Sequence, residues 1–244
     1  MPRIIVTGGS RGLGLCIAEK LVAAGFCVIT IARSRTEHLE AAIQKAGNGG
    51  GGELHFRAFD LMDIEAIPGF IKSLTKEFGI PFGLVNNAGI GTSGVLATMP
   101  DREIERLIRL NILSPITFTK YVVRSMMAGK GGRIVNLSSV VATTGYNGLS
   151  VYSATKASFT GFTRSLAREV GPLNITVNNV APGFVDTDMT HELNDAQRSQ
   201  IMRRSALRRM PVAEDVADAV NFLFSEGARN ITGTTLTVDA GSTA

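Results

Sequence analysis

A phenol beside an ammonium ion can act as a general acid–base, because the cation favours the phenolate and draws a pKa of about 10 toward neutrality. Of the three tyrosines, Tyr121 is followed four residues on by Ser125 and Tyr146 by Ser150, whereas Tyr152 is followed by a lysine, Lys156. Residues four apart share one face of a helix, so this pair is spaced for proton transfer. Two unrelated surface residues can have the same spacing, and the pair alone does not decide. Shortly before it, the apolar run Gly132 to Leu137 ends in Ser138 and Ser139. Those hydroxyls stand at a strand end, where open α/β sheets place their sites.

A second constellation suits phosphate. The run Ile4 to Thr7 leads into Gly8-Gly9-Ser10-Arg11-Gly12-Leu13-Gly14, and a helical pattern follows. Glycines let a backbone turn tightly against a pyrophosphate, and free N–H groups at a helix start face its charge. The spacing is G-x-x-x-G-x-G, so the argument rests on its place after the first strand. The second strand ends in Ile31-Ala32-Arg33-Ser34-Arg35, with no carboxylate before Glu37. An acidic residue there would bind the ribose of NAD. Arg11 and Arg33 suit a 2′-phosphate instead, which favours NADP(H).

The elements that must position these residues alternate. Strand-like runs are Ile4 to Thr7, Phe26 to Ile31, Leu54 to Phe59, Phe82 to Val85, Arg133 to Leu137, Ile175 to Val180 and Thr235 to Val238. Helical patterns such as Leu13 to Ala24 and Ile64 to Phe78 lie between them. Seven strands with intervening helices predict an α/β fold, a Rossmann-type doubly wound parallel sheet with helices on both faces. The glycine-rich stretch Gly47 to Gly52 is too short for a domain linker and reads as a flexible connection. One domain over 1–244 is expected.

One polar residue stands out inside a helical pattern. Pro100-Asp101 marks a start, Ile104, Leu107 and Ile108 form an apolar face, and Asn111 continues it. A buried amide must find partners. Four residues on, Pro115 has no N–H, which predicts a kink and a carbonyl at Asn111 without its helical donor. Such a carbonyl could hold a water in a proton relay toward Lys156.

The order of these motifs resembles the short-chain dehydrogenase/reductase family over essentially the whole chain. The motifs are the loop Thr7 to Gly14, Asn86-Asn87-Ala88-Gly89, the strand-end serines, Tyr152-Ser153-Ala154-Thr155-Lys156 and Pro182-Gly183-Phe184-Val185-Asp186-Thr187. Within the family the chain is most similar to the β-ketoacyl-(acyl-carrier-protein) reductases. The resemblance implies a catalytic tetrad of Asn111, Ser139, Tyr152 and Lys156, the serine lying thirteen residues before the tyrosine. Ser139 would hold the substrate oxygen and Tyr152 would protonate it. Lys156 would bind the nicotinamide ribose and depress the phenol pKa. For the cofactor it implies Gly8, Ser10, Arg11, Gly12, Leu13 and Gly14 at the phosphates and Arg33 at the 2′-phosphate. It places Asp60 and Leu61 at the adenine edge and Asn87, Ala88 and Gly89 on the adenosine ribose side. Pro182, Gly183, Val185 and Thr187 would lie along the nicotinamide.

The substrate reading follows from the resemblance. A cover at about 187–211 carries Met189, Met202 and Met210, pliant apolar surface suited to an alkyl chain. Arg203, Arg204, Arg208 and Arg209 read as a solvated face, or else as contacts for the phosphate of a carrier-linked or coenzyme A-linked substrate. The turn Gly171-Pro172-Leu173-Asn174 lacks the arginine that the acyl-carrier reductases use to dock their carrier, although Lys130 is present near a second docking position. The expected reaction is NADPH-dependent reduction of a 3-oxoacyl thioester, as in fatty acid synthesis, with acyl carrier protein as a possible partner. The alternatives are a reductase of small carrier-free ketones, or the corresponding alcohol dehydrogenase, and an idle NADP(H)-binding regulator. Retention of all four tetrad positions speaks against the last.

Composition bounds the rest. Twenty-five basic and 21 acidic residues are interspersed, with no basic arm, no Trp and three Tyr, so nucleic acid is not an expected partner. No metal site is expected, because Cys16 and Cys27 lie in apolar segments without a nearby His or Cys at ligand spacing in sequence. They read as reduced thiols of a cytoplasmic protein. No apolar run approaches the ~20 residues of a membrane span. The resemblance implies a homotetramer. Phe159, Phe162 and Leu166 cover more than one stripe of their helix, and the small, nearly uncharged tail Val238 to Ala244 suits a subunit contact.

Overall fold

The computed structural model describes residues 1–49, 51–185 and 195–244. Seven strands form one sheet: β1 (Arg3–Thr7), β2 (Cys27–Ala32), β3 (Glu53–Ala58), β4 (Gly83–Asn86), β5 (Gly132–Leu137), β6 (Ile175–Pro182) and β7 (Thr235–Val238). They are all parallel, in the order β3-β2-β1-β4-β5-β6-β7. Parallel strands need crossovers, and the helices that supply them cover both faces. The strand order reverses between β1 and β4, which opens a crevice at their carboxyl ends.

The strands are apolar on both faces because successive side chains enter two separate cores. On one face Ile4 and Val6 pack with Ile17 and Leu21 of α1 (Gly12–Ala23), Leu39 of α2 (Glu37–Asn48), and Val216 and Val220 further along the chain. On the other, Ile5 packs with Ile71 of α3 (Ile67–Phe78), Phe118, Val122, Leu166 and Val170.

The helix α4 (Asp101–Ile108) begins directly after Pro100 and passes through a π turn, Arg109–Leu113, into α5 (Ser114–Met126). Pro115 denies the Asn111 carbonyl an i+4 donor, and the chain widens there by one residue rather than breaking. The Ser114 amide accordingly donates to the Arg109 carbonyl, five residues back. After β5 come the short α6 (Val141–Thr144) and the 21-residue α7 (Ser150–Val170), which carries Tyr152 and Lys156. Within the segment expected to cover the substrate, the described residues include α8 (Asp195–Arg204), and α9 (Ala213–Phe224) follows.

Beyond one- or two-residue shifts at the ends of other elements, three details differ from the sequence reading. Strand β4 starts one residue late and takes in Asn86, because Phe82 serves as its entry, donating to the Arg3 carbonyl at 2.8 Å. Helix α3 starts three residues after Ile64, since the Asp63 carboxylate first closes a turn on the Ala66 amide at 3.2 Å. Gly52 is no flexible link. A Cβ there would lie 2.0 Å from the Phe26 carbonyl oxygen, so only glycine allows this approach to β2.

Candidate active site

The glycine loop is braced from two sides. Thr7 Oγ1 accepts the amides of Asn87 and Ala88, both at 3.1 Å, and the Asn87 side-chain amide donates to the Thr7 and Gly8 carbonyls at 2.9 and 3.2 Å. The Asn87 side chain is thereby engaged on the loop. From the other side Thr36 donates to the Ser10 carbonyl at 2.5 Å while capping α2. Gly8 adopts φ +68°, and a Cβ on Gly14 would stand 2.2 Å from the Gly8 oxygen. The helix start can reach the loop because Gly14 has no side chain. Leu13 packs against the core beneath, and Gly12, at φ +54°, faces open space.

Arg11 precedes α1, Arg33 follows β2, and both are exposed. Among the described residues neither has an ion-pair partner, whereas Arg35 is held by Glu40 at 2.8 Å. Asp60 is exposed and its carboxylate accepts the Met62 amide at 2.9 Å. Leu61 is buried in the second core, with its side chain in a small cavity shared with Thr7, Ala88 and Phe118.

The tyrosine and its neighbours meet at the carboxyl edge of β4 and β5. Ser139 is the side chain that acts on the Tyr152 hydroxyl and favours its ionised form against burial. The Lys156 ammonium, 5% exposed, donates to the Leu137 carbonyl at 2.7 Å, and Ser138 donates back to the Lys156 carbonyl at 3.0 Å. Ser138 thus fastens α7 to β5, which leaves Ser139 free to face the phenol. Asn111, buried in the π turn, accepts the Ile90 amide at 3.0 Å. It donates to the Ile90 carbonyl at 2.8 Å and to Thr155 Oγ1 at 3.1 Å. Thr155 in turn donates to the Tyr152 carbonyl at 2.7 Å. A Cβ on Gly89 would stand 3.3 Å from the Asn111 side-chain oxygen and 3.4 Å from the Lys156 nitrogen.

Burial sets the protonation states. It pushes the Tyr152 phenol up to about 12, opposed by Ser139, and pushes the Lys156 ammonium down to about 8. Burial, not Lys156, is the largest influence on the phenol here. The ammonium lies 5.8 Å from the ring centre and spends a proton on Leu137, so desolvation dominates the phenol.

A polar string beneath the site escaped the sequence reading. Asn86, Asn136, Asn179 and Thr235 sit in register across β4 to β7. Asn86 donates to Thr119 and to Asn136, and Asn136 donates to Thr163, each at 2.8 Å. Thr163 donates to Asn179 at 2.5 Å, and Asn179 donates to Thr235 at 3.2 Å. These bonds tie α5 and α7 to the strands that carry the site, and buried amides tolerate no looser fit. The readable signal was asparagine inside three apolar strands: Asn86 in β4, Asn136 in β5, and Asn178 and Asn179 in β6.

Pro182 ends β6, and Val185 is buried in the first core. Gly183 lies against the C-terminal turn, where a Cβ would be 2.8 Å from the Asp239 Cβ. Thr187 and Met189 lie outside the described residues.

A family model for short chain dehydrogenase matches residues 2–198. The chain belongs to the short-chain dehydrogenase/reductase family. It is an oxidoreductase of that family, and its parallel α/β sheet is the Rossmann-type fold expected. Among its relatives, the 3-oxoacyl-[acyl-carrier-protein] reductase FabG of Pseudomonas aeruginosa is 41% identical over 239 residues, covering 97% of this chain and 95% of the relative. That of Escherichia coli is 43% identical over 237 residues, with the same coverage. A short chain dehydrogenase from Burkholderia cenocepacia, solved in complex with NADP, superposes with a TM-score of 0.92 at 35% identity over 100% of this chain and 98% of that one. Among the described residues of this short-chain dehydrogenase/reductase, no helix is long and apolar enough to cross a membrane.

Proposed function

We propose that this oxidoreductase uses NADPH to reduce the keto group of a 3-oxoacyl thioester to a secondary alcohol. The observation that carries the reading is the meeting of Ser139, Tyr152 and Lys156 beside the braced glycine loop at one sheet edge.

The residues fit the nucleotide. A lysine ammonium has three donors, and among the described residues only Leu137 accepts one, so two remain for a ribose diol beside Gly89. The loop and the first turn of α1 offer amides to the pyrophosphate, and the unpaired Arg11 and Arg33 offer guanidinium groups to a 2′-phosphate. Bound there, NADPH supplies the hydride.

The chain's own residues do the rest. Ser139 and Tyr152 hold the carbonyl oxygen from two sides and polarise it. Tyr152 gives its proton to that oxygen as the alkoxide forms. Because burial keeps the phenol near 12, the proton donor is loaded throughout the neutral range. Asn111 and Thr155 position the turn of α7 that carries the phenol.

Two relatives named as 3-oxoacyl-[acyl-carrier-protein] reductases support the thioester reading. A second reading, a reductase of small free ketones, draws on the turn Gly171–Leu173, which presents an exposed Leu173 and no arginine. Carrier-linked, coenzyme A-linked and free 3-oxo substrates compared by loss of the NADPH absorbance separate the two. Thioesters should give the highest kcat/KM, and a preference for free ketones would overturn the thioester assignment.

Cofactor choice gives a sharper test. Replacing Arg33 with Asp removes a charge-assisted contact worth about 1.5–3 kcal/mol and adds the carboxylate that a free ribose prefers. The NADPH-over-NADH ratio of kcat/KM should fall at least ~10-fold. An unchanged ratio would remove Arg33 from the phosphate site.

The proposed assembly is a homotetramer within a cytoplasmic setting, but two of the sequence arguments for it are redirected. Phe159 and Leu166 are buried in this chain's own core and Phe162 packs against it. The tail folds back on itself, with the Asp239 carboxylate taking the Gly241 and Thr243 amides at 2.9 Å. Three exposed apolar residues, Ile108, Leu113 and Ile116, lie along the α4–α5 helix. Light scattering should give about four times the 25.9 kDa chain mass, whereas a monomer would refute the assembly.

A further inference from the structure

Three side chains with metal-binding atoms gather at the amino-terminal ends of β2 and β3, the edge of the sheet opposite Tyr152. Cys27 opens β2 in parallel register with Glu53, which opens the outermost strand β3. His55, two residues on, projects from the same face as Glu53, while Leu54 and Phe56 between and beyond them are buried on the other. One atom from each residue (a thiol sulfur, a carboxylate oxygen and an imidazole nitrogen) lies within 4.8 Å of the other two. Glu53 Oε2 and His55 Nε2 are 2.9 Å apart.

We propose that Cys27 Sγ, a Glu53 carboxylate oxygen and His55 Nε2 form a binding site for a zinc-like divalent cation that clamps the edge strand β3 to β2. The donor set selects the ion class. Sulfur and imidazole nitrogen suit zinc or cobalt, whereas magnesium and calcium demand oxygen. A thiolate and a carboxylate supply two negative charges to match the ion. Binding displaces the thiol proton to solvent and substitutes the ion for the hydrogen bond between Glu53 and His55.

The local frame holds the ligands in place. The His55 ring packs on Phe78, with centres 5.1 Å apart, and its carbonyl accepts Thr30 Oγ1 at 2.9 Å. Cys27 is buried, and Glu53 and His55 are open enough to admit an ion and leave a fourth position to water. The cations that act on Cys27 are Arg3 and the amino terminus. An edge strand has one neighbour, so a clamp on its first residues adds support at the sheet's least secured end.

Cobalt(II) titrated into the reduced, metal-free full-length protein provides the test. A thiolate-to-cobalt charge-transfer band should saturate at one ion per chain and be displaced by zinc. The chain has one other cysteine, Cys16, which makes the assignment decidable. The band should persist in Cys16→Ser and vanish in Cys27→Ser. In Glu53→Gln and His55→Gln the cobalt affinity should drop at least ~10-fold, the low end for disturbing a metal's surroundings. Zinc should raise the melting temperature of wild type and Cys16→Ser but not of Cys27→Ser, and NADPH oxidation should change in none of them. No band, a band that survives Cys27→Ser, or one lost with Cys16→Ser overturns the site. So does undiminished affinity in the exposed Glu53→Gln variant, whose folding is not at risk.

Discussion

Tyr152→Phe should lower turnover at least ~10²-fold, the low end of what a positioned acid–base group contributes, while nucleotide affinity stays within about twofold. The substitution keeps the ring and its packing and deletes one hydroxyl. That hydroxyl is the group on which Ser139 acts, and its proton is the one assigned to the substrate oxygen. Losing that interaction should cost about 1 kcal/mol of stability, too little to unfold the chain. Turnover and nucleotide binding measured on one preparation separate the two effects. Near-normal turnover would remove Tyr152 from the reaction.

Lys156→Met should separate activity from stability in the opposite sense. Two ammonium donors toward the ribose are lost, so the nucleotide Kd should rise ~10–100-fold. Turnover should fall ~10²-fold as the reacting groups lose their alignment. Stability should increase, because burial holds the ammonium near 8, below its ordinary 10.5, and the charged form is what the fold disfavours. The difference corresponds to roughly 3 kcal/mol at most, which an apolar side chain of similar length escapes. The pH window follows from the direction of the shift. Between about pH 8 and 10 the unfolded lysine binds more protons than the folded one, so wild-type stability rises relative to the variant. Below pH 8 the variant's advantage is constant. The shifts of Tyr152 and Cys16 are shared by both proteins and cancel in the comparison. Denaturant midpoints at pH 7 and pH 10 measure it, and a variant less stable at pH 7 would contradict the account.

The sheet was legible because its strands are short β-branched runs buried on both faces, and each was placed within a residue or two. The candidate pair Tyr152 and Lys156 was legible through its four-residue spacing, and Ser139 through the family resemblance, which places a serine thirteen residues before the tyrosine. The irregular turn at Asn111 could be argued from Pro115 alone, since a missing N–H is a local fact. What spacing could not carry was the division of labour among adjacent polar residues. Sequence did not show that Ser138, next to Ser139, fastens α7 to β5 through the Lys156 carbonyl. The Asn87 side chain braces two loop carbonyls in three dimensions, a role its motif in sequence does not state. The asparagine string needs register across four strands, which no single segment encodes. The phenol's pKa depends on burial from every side, and a helical i+4 argument sees one neighbour. The triad of Cys27, Glu53 and His55 was invisible for the same reason, its members being 26 and 28 residues apart in sequence.

The most direct measurement of the central claim follows the transferred atoms. Wild-type protein is mixed with NADPH carrying deuterium at both C4 positions and a 3-oxoacyl thioester, and the product is read by mass spectrometry and NMR. The account predicts a 3-hydroxyacyl thioester with one deuterium on the carbinol carbon, a hydroxyl proton drawn from solvent, and no such product from Tyr152→Phe on the same timescale. Unlabelled product, or nucleotide left unoxidised beside every 3-oxo substrate, would contradict it.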